Sequence, residues 1–366
     1  MDFELVSRVF ETLNLTPPPR LTLLDARILA SAHYPPFPPD VPALLLGLDS
    51  PELATWVKNV LRVIYPKEHE VTLVDGSALK VERLNDLQPA TFNFQPSTCL
   101  YLPALGEGTS FESFGEIVAH LRAPDGCPWD KKQTHQTLRT HLLEESYETL
   151  TAMDENDSHG MREEFGDLLL QIMLNAQIAT ETDEFTMAQV VKGIYDKIVR
   201  RHPHVFGNVE VDSVDGVLQN WEKLKEKERQ ENGKAEQENG LLDGVPSALP
   251  ALTQAQEYQD RAARVGFDWP EVEGVLDKIR EEIEEVKNAQ NLEEVASELG
   301  DLFFVLVNLA RWRKVDAESA LRKTNLKFKK RFAFVEQGAR KQGRNLSDMT
   351  LEEMDVFWNE AKKQGL

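Results

Sequence analysis

One order of charged and aromatic residues occurs twice in the later part of this chain, and that tandem repeat restricts its fold more than any other feature. The first copy carries Glu144, Glu145 and Glu148, then Glu164 and Asp167 within EFGD. The second carries Glu281, Glu282 and Glu285, then Glu298 and Asp301 within ELGD. Downstream, each copy has a basic pair spaced by four, Lys197 with Arg201 and Lys327 with Arg331. Each closes on a tryptophan followed four residues later by lysine, Trp221 with Lys225 and Trp358 with Lys362. The separation between copies drifts by a few residues from motif to motif, as changes in loop length would make it do.

The stretches that hold these residues have helical periodicity. FESFGEIVAHL, THQTLRTHLLEESYETLTAM, MREEFGDLLLQIMLNAQIA and FTMAQVVKGIYDKIVRRH place apolar residues three and four apart. The same holds for ALTQAQEYQDRAARVGF, VLDKIREEIEEVKNAQ, VASELGDLFFVLVNLARWR, SALRKTNLKFKKRFAFVE and LEEMDVFWNEAKKQG. Between the two sets, RQENGKAEQENG is polar and nearly free of apolar residues, and reads as a linker. The N-terminal stretch differs. VPALLLGLD, HEVTLVD and STCLYLPAL read as strands, PELATWVKNVLRVIY as a helix between the first two, and LTPPPR and YPPFPPDVP as extended loops. The expected fold is mainly all-α: a partial α/β region over 1–108, a helical domain over 110–230, a linker over 231–250 and a second helical domain over 251–366.

Helix geometry sets the chemistry. Residues three or four apart share a face, so Glu144 and Glu145 can both converge with Glu148, while Glu164 and Asp167 pair on the next helix. Leu142, Leu143, Leu168 and Leu169 beside them are expected to hold those two helices together. Carboxylates gathered in this way repel one another and call for a cation. Oxygen-only ligands favour Mg²⁺, or Mn²⁺ in its place, over zinc. The basic pairs then suit an anionic phosphate, and arginine offers a two-pronged grip on it. The bland alternative is that EExxE is a solvated helix face with local ion pairs. Repetition of the whole order weighs against it. Gly166 and Gly300, inside the acid-bearing helices, fit close approach by a neighbouring helix or a metal, or equally a bare packing reason.

Composition narrows the partners. Lys and Arg number 41 against 62 Asp and Glu, a net charge of −21. That balance argues against stable nucleic-acid binding, and KFKKRF is too short a basic run to reverse it. Two cysteines, Cys99 and Cys127, give no disulfide framework and fit a reducing compartment. No apolar run is long enough to cross a bilayer, and MDFELVSRVFETLNL carries acidic residues early and lacks the apolar stretch of a secretory signal, so a cytosolic location is expected. Cys127 in GCPW reads as part of a rigid turn, and His135 and His141 as capping or packing residues.

With these motifs in place, residues 110–366 resemble two tandem copies of the MazG family of nucleoside triphosphate pyrophosphohydrolases. The run LRAPDGCPWDKKQTHQTLRTHLLEESYE is similar to the family's N-terminal signature, and RRHPHVFG and ALRKTNLKFKKRF to further family segments. The resemblance implies an all-α homodimer that hydrolyses nucleoside triphosphates to monophosphate and pyrophosphate. It implies metal ligation by Glu144, Glu145, Glu148, Glu164 and Asp167, and again by Glu281, Glu282, Glu285, Glu298 and Asp301. Glu164 and Glu298 stand as ligands or proton acceptors. Lys197, Arg201, Lys225, Lys327, Arg331 and Lys362 are expected on phosphate, and Trp221 and Trp358 on the base. Residues 41–104 resemble the C-terminal part of a tetrapyrrole methylase, without its glycine-rich cofactor segment. Two alternatives stay open: hydrolysis of another phosphoanhydride, such as a modified nucleotide or an alarmone, and a non-catalytic dimerisation or binding module.

Overall fold

A computed structural model describes residues 3–87, 93–211 and 240–366, together with Ser213, Gly216, Val217, Asn220, Trp221, Leu224 and Glu228. The chain divides into two compact units, Met1–Lys197 and Ile198–Leu366. The described residues are mainly helical, with one small sheet among them.

In the first unit the sheet has the order β1-β2-β5-β3-β4, from β1 (Thr22–Asp25), β2 (Ala43–Leu46), β3 (Glu70–Asp75), β4 (Ala78–Arg83) and β5 (Cys99–Leu102). β1 and β2 run parallel, in register at Thr22 and Ala43. β5 is antiparallel to both β2 and β3, with Leu100 opposite Leu45 on one side and Leu73 on the other. The strand–helix–strand unit read from the sequence is therefore present but opened, because β5 is inserted between its two strands.

Alternation along the strands sorts the core into two faces. Ala43 and Leu45 face α2 (Pro51–Leu61), whose Leu53, Ala54, Val57, Val60 and Leu61 recur at helical spacing. Leu44, Val74 and Cys99 face the other way, against Val9 of α1 (Phe3–Leu13). Pro51 sits in the first turn of α2, where its missing N–H removes no hydrogen bond, and Ser50 caps Leu53 N.

Three helices complete this unit's packing. α3 (Phe111–Arg122), α4 (Leu138–Glu155) and α5 (Ser158–Glu181) meet at Val118, Leu138, Leu174 and Ile178. The Ser110 and Ser113 hydroxyls at the start of α3 both donate to Asp40, and those bonds hold its carboxyl below the usual range. This fastens the α/β region to the first helical copy. α4 and α5 are joined by Asn156, in the left-handed region at φ 55°, and by Asp157, which caps His159 N. So short a connection folds them into an antiparallel hairpin. α6 (Met187–Arg201) follows.

The second unit repeats the hairpin. After α7 (Pro203–Phe206) come α8 (Ala251–Arg264), α9 (Val272–Asn288), α10 (Leu292–Trp312), α11 (Ala317–Lys341) and α12 (Leu351–Lys363). Asn291 caps Glu294 N where α9 turns into α10. The Gln256 amide of α8 donates to Val315 O and accepts from Ala317 N, so it binds both ends of the α10–α11 turn. Gln259, buried on α8, donates to Phe304 O of α10. Thr350 and Glu353 form a reciprocal capping box on α12. Among the described residues, no helix is long and apolar enough to cross a membrane.

Candidate active site

In each hairpin the acidic residues lie at similar distances on either side of the tight turn, so folding the hairpin brings them opposite one another. Glu145 of α4 meets Glu164 and Asp167 of α5, with a carboxylate oxygen from each lying within 4.8 Å of the others. Glu282 and Glu285 of α9 meet Glu298 of α10 within the same span. The copies agree at two positions, Glu145 with Glu282 and Glu164 with Glu298. They differ in the third member, which is Asp167 in the first copy and Glu285 in the second. Glu148 lies close enough to act electrically on Glu145 and Glu164. Glu144 and Glu281 sit on the outer side, paired with His141 (3.3 Å) and Lys278 (2.7 Å). Asp301 is exposed, outside the second cluster.

The first cluster is electrically crowded. Burial, then Asp167, Glu148, Glu164 and Glu144 in that order, raise the Glu145 carboxyl above its ordinary value. Desolvation, then Glu148, Asp167 and Glu163, raise Glu164. No ammonium or guanidinium is among these influences, so the donor set fits a hard divalent cation. In the second cluster Glu285 is raised, first by desolvation and then by Glu282, while Lys278 acts in the opposite direction. Glu282 is 3% exposed, and its Oε2 is buried without a hydrogen-bond partner. That orphaned oxygen also fits a cation.

The basic and aromatic residues fall elsewhere. Lys197 is exposed on α6. Arg201 donates to Glu228 at 2.6 Å, and with Arg200 it pulls that carboxyl down to about 2. Trp221 stands edge-on to His202 at 5.1 Å. Lys225 lies outside the described residues. In the second copy α11 and α12 bring two of the set, Arg331 and Trp358, together. The Arg331 guanidinium lies 5.7 Å from the Trp358 ring centre, and Lys327 and Lys362 are exposed on the same two helices. Trp358 lines an apolar cleft of about 260 Å³ with Phe328, Phe332, Met354 and Asp355.

Two readings of the helix interior need correction. Leu142 and Leu143 do not hold α4 to α5; they are 41% and 53% exposed, and the buried residues of α4 are Leu138, Thr149 and Ala152. Apolar type alone does not choose the face when acids occupy the neighbouring positions. A Cβ placed on Gly166 or Gly300 would meet nothing within 4 Å among the described residues, so no described helix crowds them. Gly166→Ala and Gly300→Ala are each expected to raise unfolding free energy by about 1 kcal/mol in denaturant melts, from helix propensity alone. A loss of stability instead would reveal a close neighbour on that side in the assembled protein.

Sequence reasoning missed Lys278 and Arg122. Lys278 was legible in principle, since it stands three and four residues before Glu281 and Glu282. Arg122 was not, because its partner Glu181 is at the far end of α5.

Helical hairpins that bring facing carboxylates together occur in both copies, and comparison with known proteins matches each copy to a nucleotide pyrophosphohydrolase family. Residues 133–206 match the MazG nucleotide pyrophosphohydrolase domain, and residues 251–327 match phosphoribosyl-ATP pyrophosphohydrolase. The nucleoside triphosphate pyrophosphohydrolase/pyrophosphatase MazG of Thermotoga maritima is 43% identical over 255 residues, covering 70% of this chain and 96% of that protein. The nucleoside triphosphate pyrophosphohydrolase of Escherichia coli K12 is 41% identical over 254 residues, 68% of this chain and 95% of that protein. An uncharacterized protein of Bacillus subtilis, YabN, is 43% identical over 328 residues; the match takes in 85% of this chain but spans only 65% of that relative's length. The chain belongs to the MazG family of nucleoside triphosphate pyrophosphohydrolases.

Proposed function

We propose that this chain hydrolyses nucleoside triphosphates to the monophosphate and pyrophosphate, with Mg²⁺ held by the facing carboxylates of at least one hairpin. The observation that carries this reading is the crowding of Glu145, Glu164 and Asp167 with no cationic side chain among the groups acting on Glu145 and Glu164. In the first copy Glu145, Glu148, Glu164 and Asp167 would hold the ion, with Glu144 at the rim. In the second the holders would be Glu282, Glu285 and Glu298, with Glu281 and Asp301 at the rim. When bound, such an ion lowers the pKa of its water and offsets phosphate charge. Mn²⁺ meets the same ligand requirements.

The chain's own residues supply the rest. Glu164, already inclined to hold a proton, is suited to accept one from an attacking water, and Glu298 takes that position in the second copy. Lys327, Arg331 and Lys362 are assigned to the anionic tail, and Lys197, Arg201 and Lys225 to the same task in the first copy. Arg201 must exchange Glu228 for phosphate to do so. Trp358 would receive the base on the apolar cleft it lines, and Trp221 would serve likewise.

The same reading includes a homodimer, supported by exposed apolar side chains on the hairpins such as Phe165, Ile172, Phe303 and Leu306. It also includes a cytosolic location without stable nucleic-acid partners, and the helical-domain boundaries 110–230 and 251–366. The α/β region is assigned as an inactive methylase remnant.

Product analysis tests the central claim. The purified chain is incubated with Mg²⁺ and each NTP and dNTP, and nucleotide and phosphate products are resolved. Monophosphate with pyrophosphate is expected. Diphosphate with orthophosphate, or no turnover with either Mg²⁺ or Mn²⁺, would overturn it.

A further inference from the structure

The two acidic clusters are neutralised differently. In the second copy the Lys278 ammonium lies 2.7 Å from Glu281 Oε1 and 2.7 Å from Glu282 Oε1, so it bridges the rim to the buried ligand position. Glu282 is the most enclosed acid of the set; one of its oxygens meets this lysine, and the other is buried with no hydrogen-bond donor among the described residues. The position that matches Lys278 in the first copy is His141, three residues before Glu144 as Lys278 is three before Glu281. The His141 ring reaches only the outer Glu144, at 3.3 Å, and packs edge-on to Trp129. Among the described residues, Glu145, Glu164 and Asp167 therefore face one another with no cationic side chain among the groups acting on Glu145 or Glu164.

We propose that Lys278 is a tethered counter-ion of the second cluster, standing where positive charge is needed, so that the two copies bind a divalent cation with unequal affinity, the first copy more tightly. A cation seated on Glu282 must repel or displace an ammonium held within hydrogen-bonding distance of the same carboxylate, whereas in the first copy it relieves repulsion already present. This inference rests on the metal reading above. It adds that loading of the second copy requires release of Lys278 from Glu282.

Binding of Mn²⁺ to the full chain without nucleotide, followed by the electron paramagnetic resonance signal of the free ion, tests it. The wild type is expected to show two classes of site separated by about tenfold or more. Glu145→Gln should remove the tighter class and Glu282→Gln the weaker. Lys278→Met should tighten the weaker class by about tenfold, while Lys278→Arg, which keeps the charge, should leave it weak. An unchanged or weakened second class in Lys278→Met overturns the proposal. So does a reversed assignment in the two glutamate variants, which needs no change at Lys278. A single class of sites unaffected by Lys278→Met overturns this proposal and leaves the metal reading standing. Absence of Mn²⁺ binding in wild type and in every variant overturns both.

Discussion

Converting Glu145, Glu148, Glu282 and Glu285 together to glutamine lowers metal-dependent pyrophosphate release at least about a thousandfold, while the helices stay folded. Glutamine keeps the size and helix propensity of glutamate and removes only the charge. Each pair changed alone measures the share of its own copy, by a coupled pyrophosphate assay beside thermal melts. In the first copy the change also relieves repulsion. The folded-state pKa of Glu145 is raised, so its favourable contribution is present at low pH and is lost as pH rises through that raised value. Without metal, wild-type stability should therefore decline above the ordinary carboxylate range, and the Glu145/Glu148 variant should decline less. The Glu282/Glu285 variant behaves differently, because Glu282 is buried and holds Lys278; it loses an ion pair as well as a site. Unchanged turnover in both paired variants would remove the carboxylates from the mechanism.

Much of this was legible because the repeat is local in sequence. Glu145 with Glu148, Glu164 with Asp167, and their counterparts are fixed by helical spacing within single elements, and a short turn decides which helix faces which. The strands Ala43–Leu46, Glu70–Asp75 and Cys99–Leu102 were also readable, as short apolar runs bounded by turn residues. What the spacing did not decide was rotation about the helix axis. Leu142 and Leu143 look like core positions, yet the buried line of α4 passes through Leu138, Thr149 and Ala152. Likewise Asp167 joins its cluster while Asp301, at the same spacing from its glutamate, does not, so spacing within one helix did not settle which acids converge. α1 and β4 escaped because they carry mixed polar and apolar residues, and their burial depends on strands far away in sequence. Pairing of β5 between β2 and β3 is equally non-local. Lys278 shows the opposite case, in which the spacing was plain but a basic residue beside an acidic run reads first as a surface ion pair.

Arg122→Met is expected to destabilise the first copy by about 3 kcal/mol, within the range for breaking a buried ion pair. The Arg122 side chain is 7% exposed, and its guanidinium holds three things at once. It donates to both oxygens of Glu181 at the end of α5, to Asp130 O, and to Gln133 O at 3.3 Å. The last two belong to the turn that follows GCPW and leads into α4, so a single buried arginine ties that turn to the far end of the hairpin. Methionine fills much of the same volume but removes the guanidinium's bonds to a carboxylate and two carbonyls, leaving Glu181 with Gln177 and Asp130 O with Gln133 N as remaining donors. Because Glu181 is about one-third exposed, water recovers part of the loss, which keeps the figure below the upper end of the range. The pH dependence has a definite sign. The Arg122 hydrogen bond lowers the Glu181 pKa, so the pair's contribution is present above the unfolded value near 4.5 and is lost as pH falls through the depressed folded value. Wild type and variant should therefore differ most at neutral pH and converge on acidification. Denaturant melts at pH 7 and pH 3 check this. Since α4 begins at that turn and carries Glu145, the variant should also weaken Mn²⁺ binding at the first cluster while sparing the second. Equal weakening at both clusters would show that Arg122 supports the chain generally and does not specifically position α4.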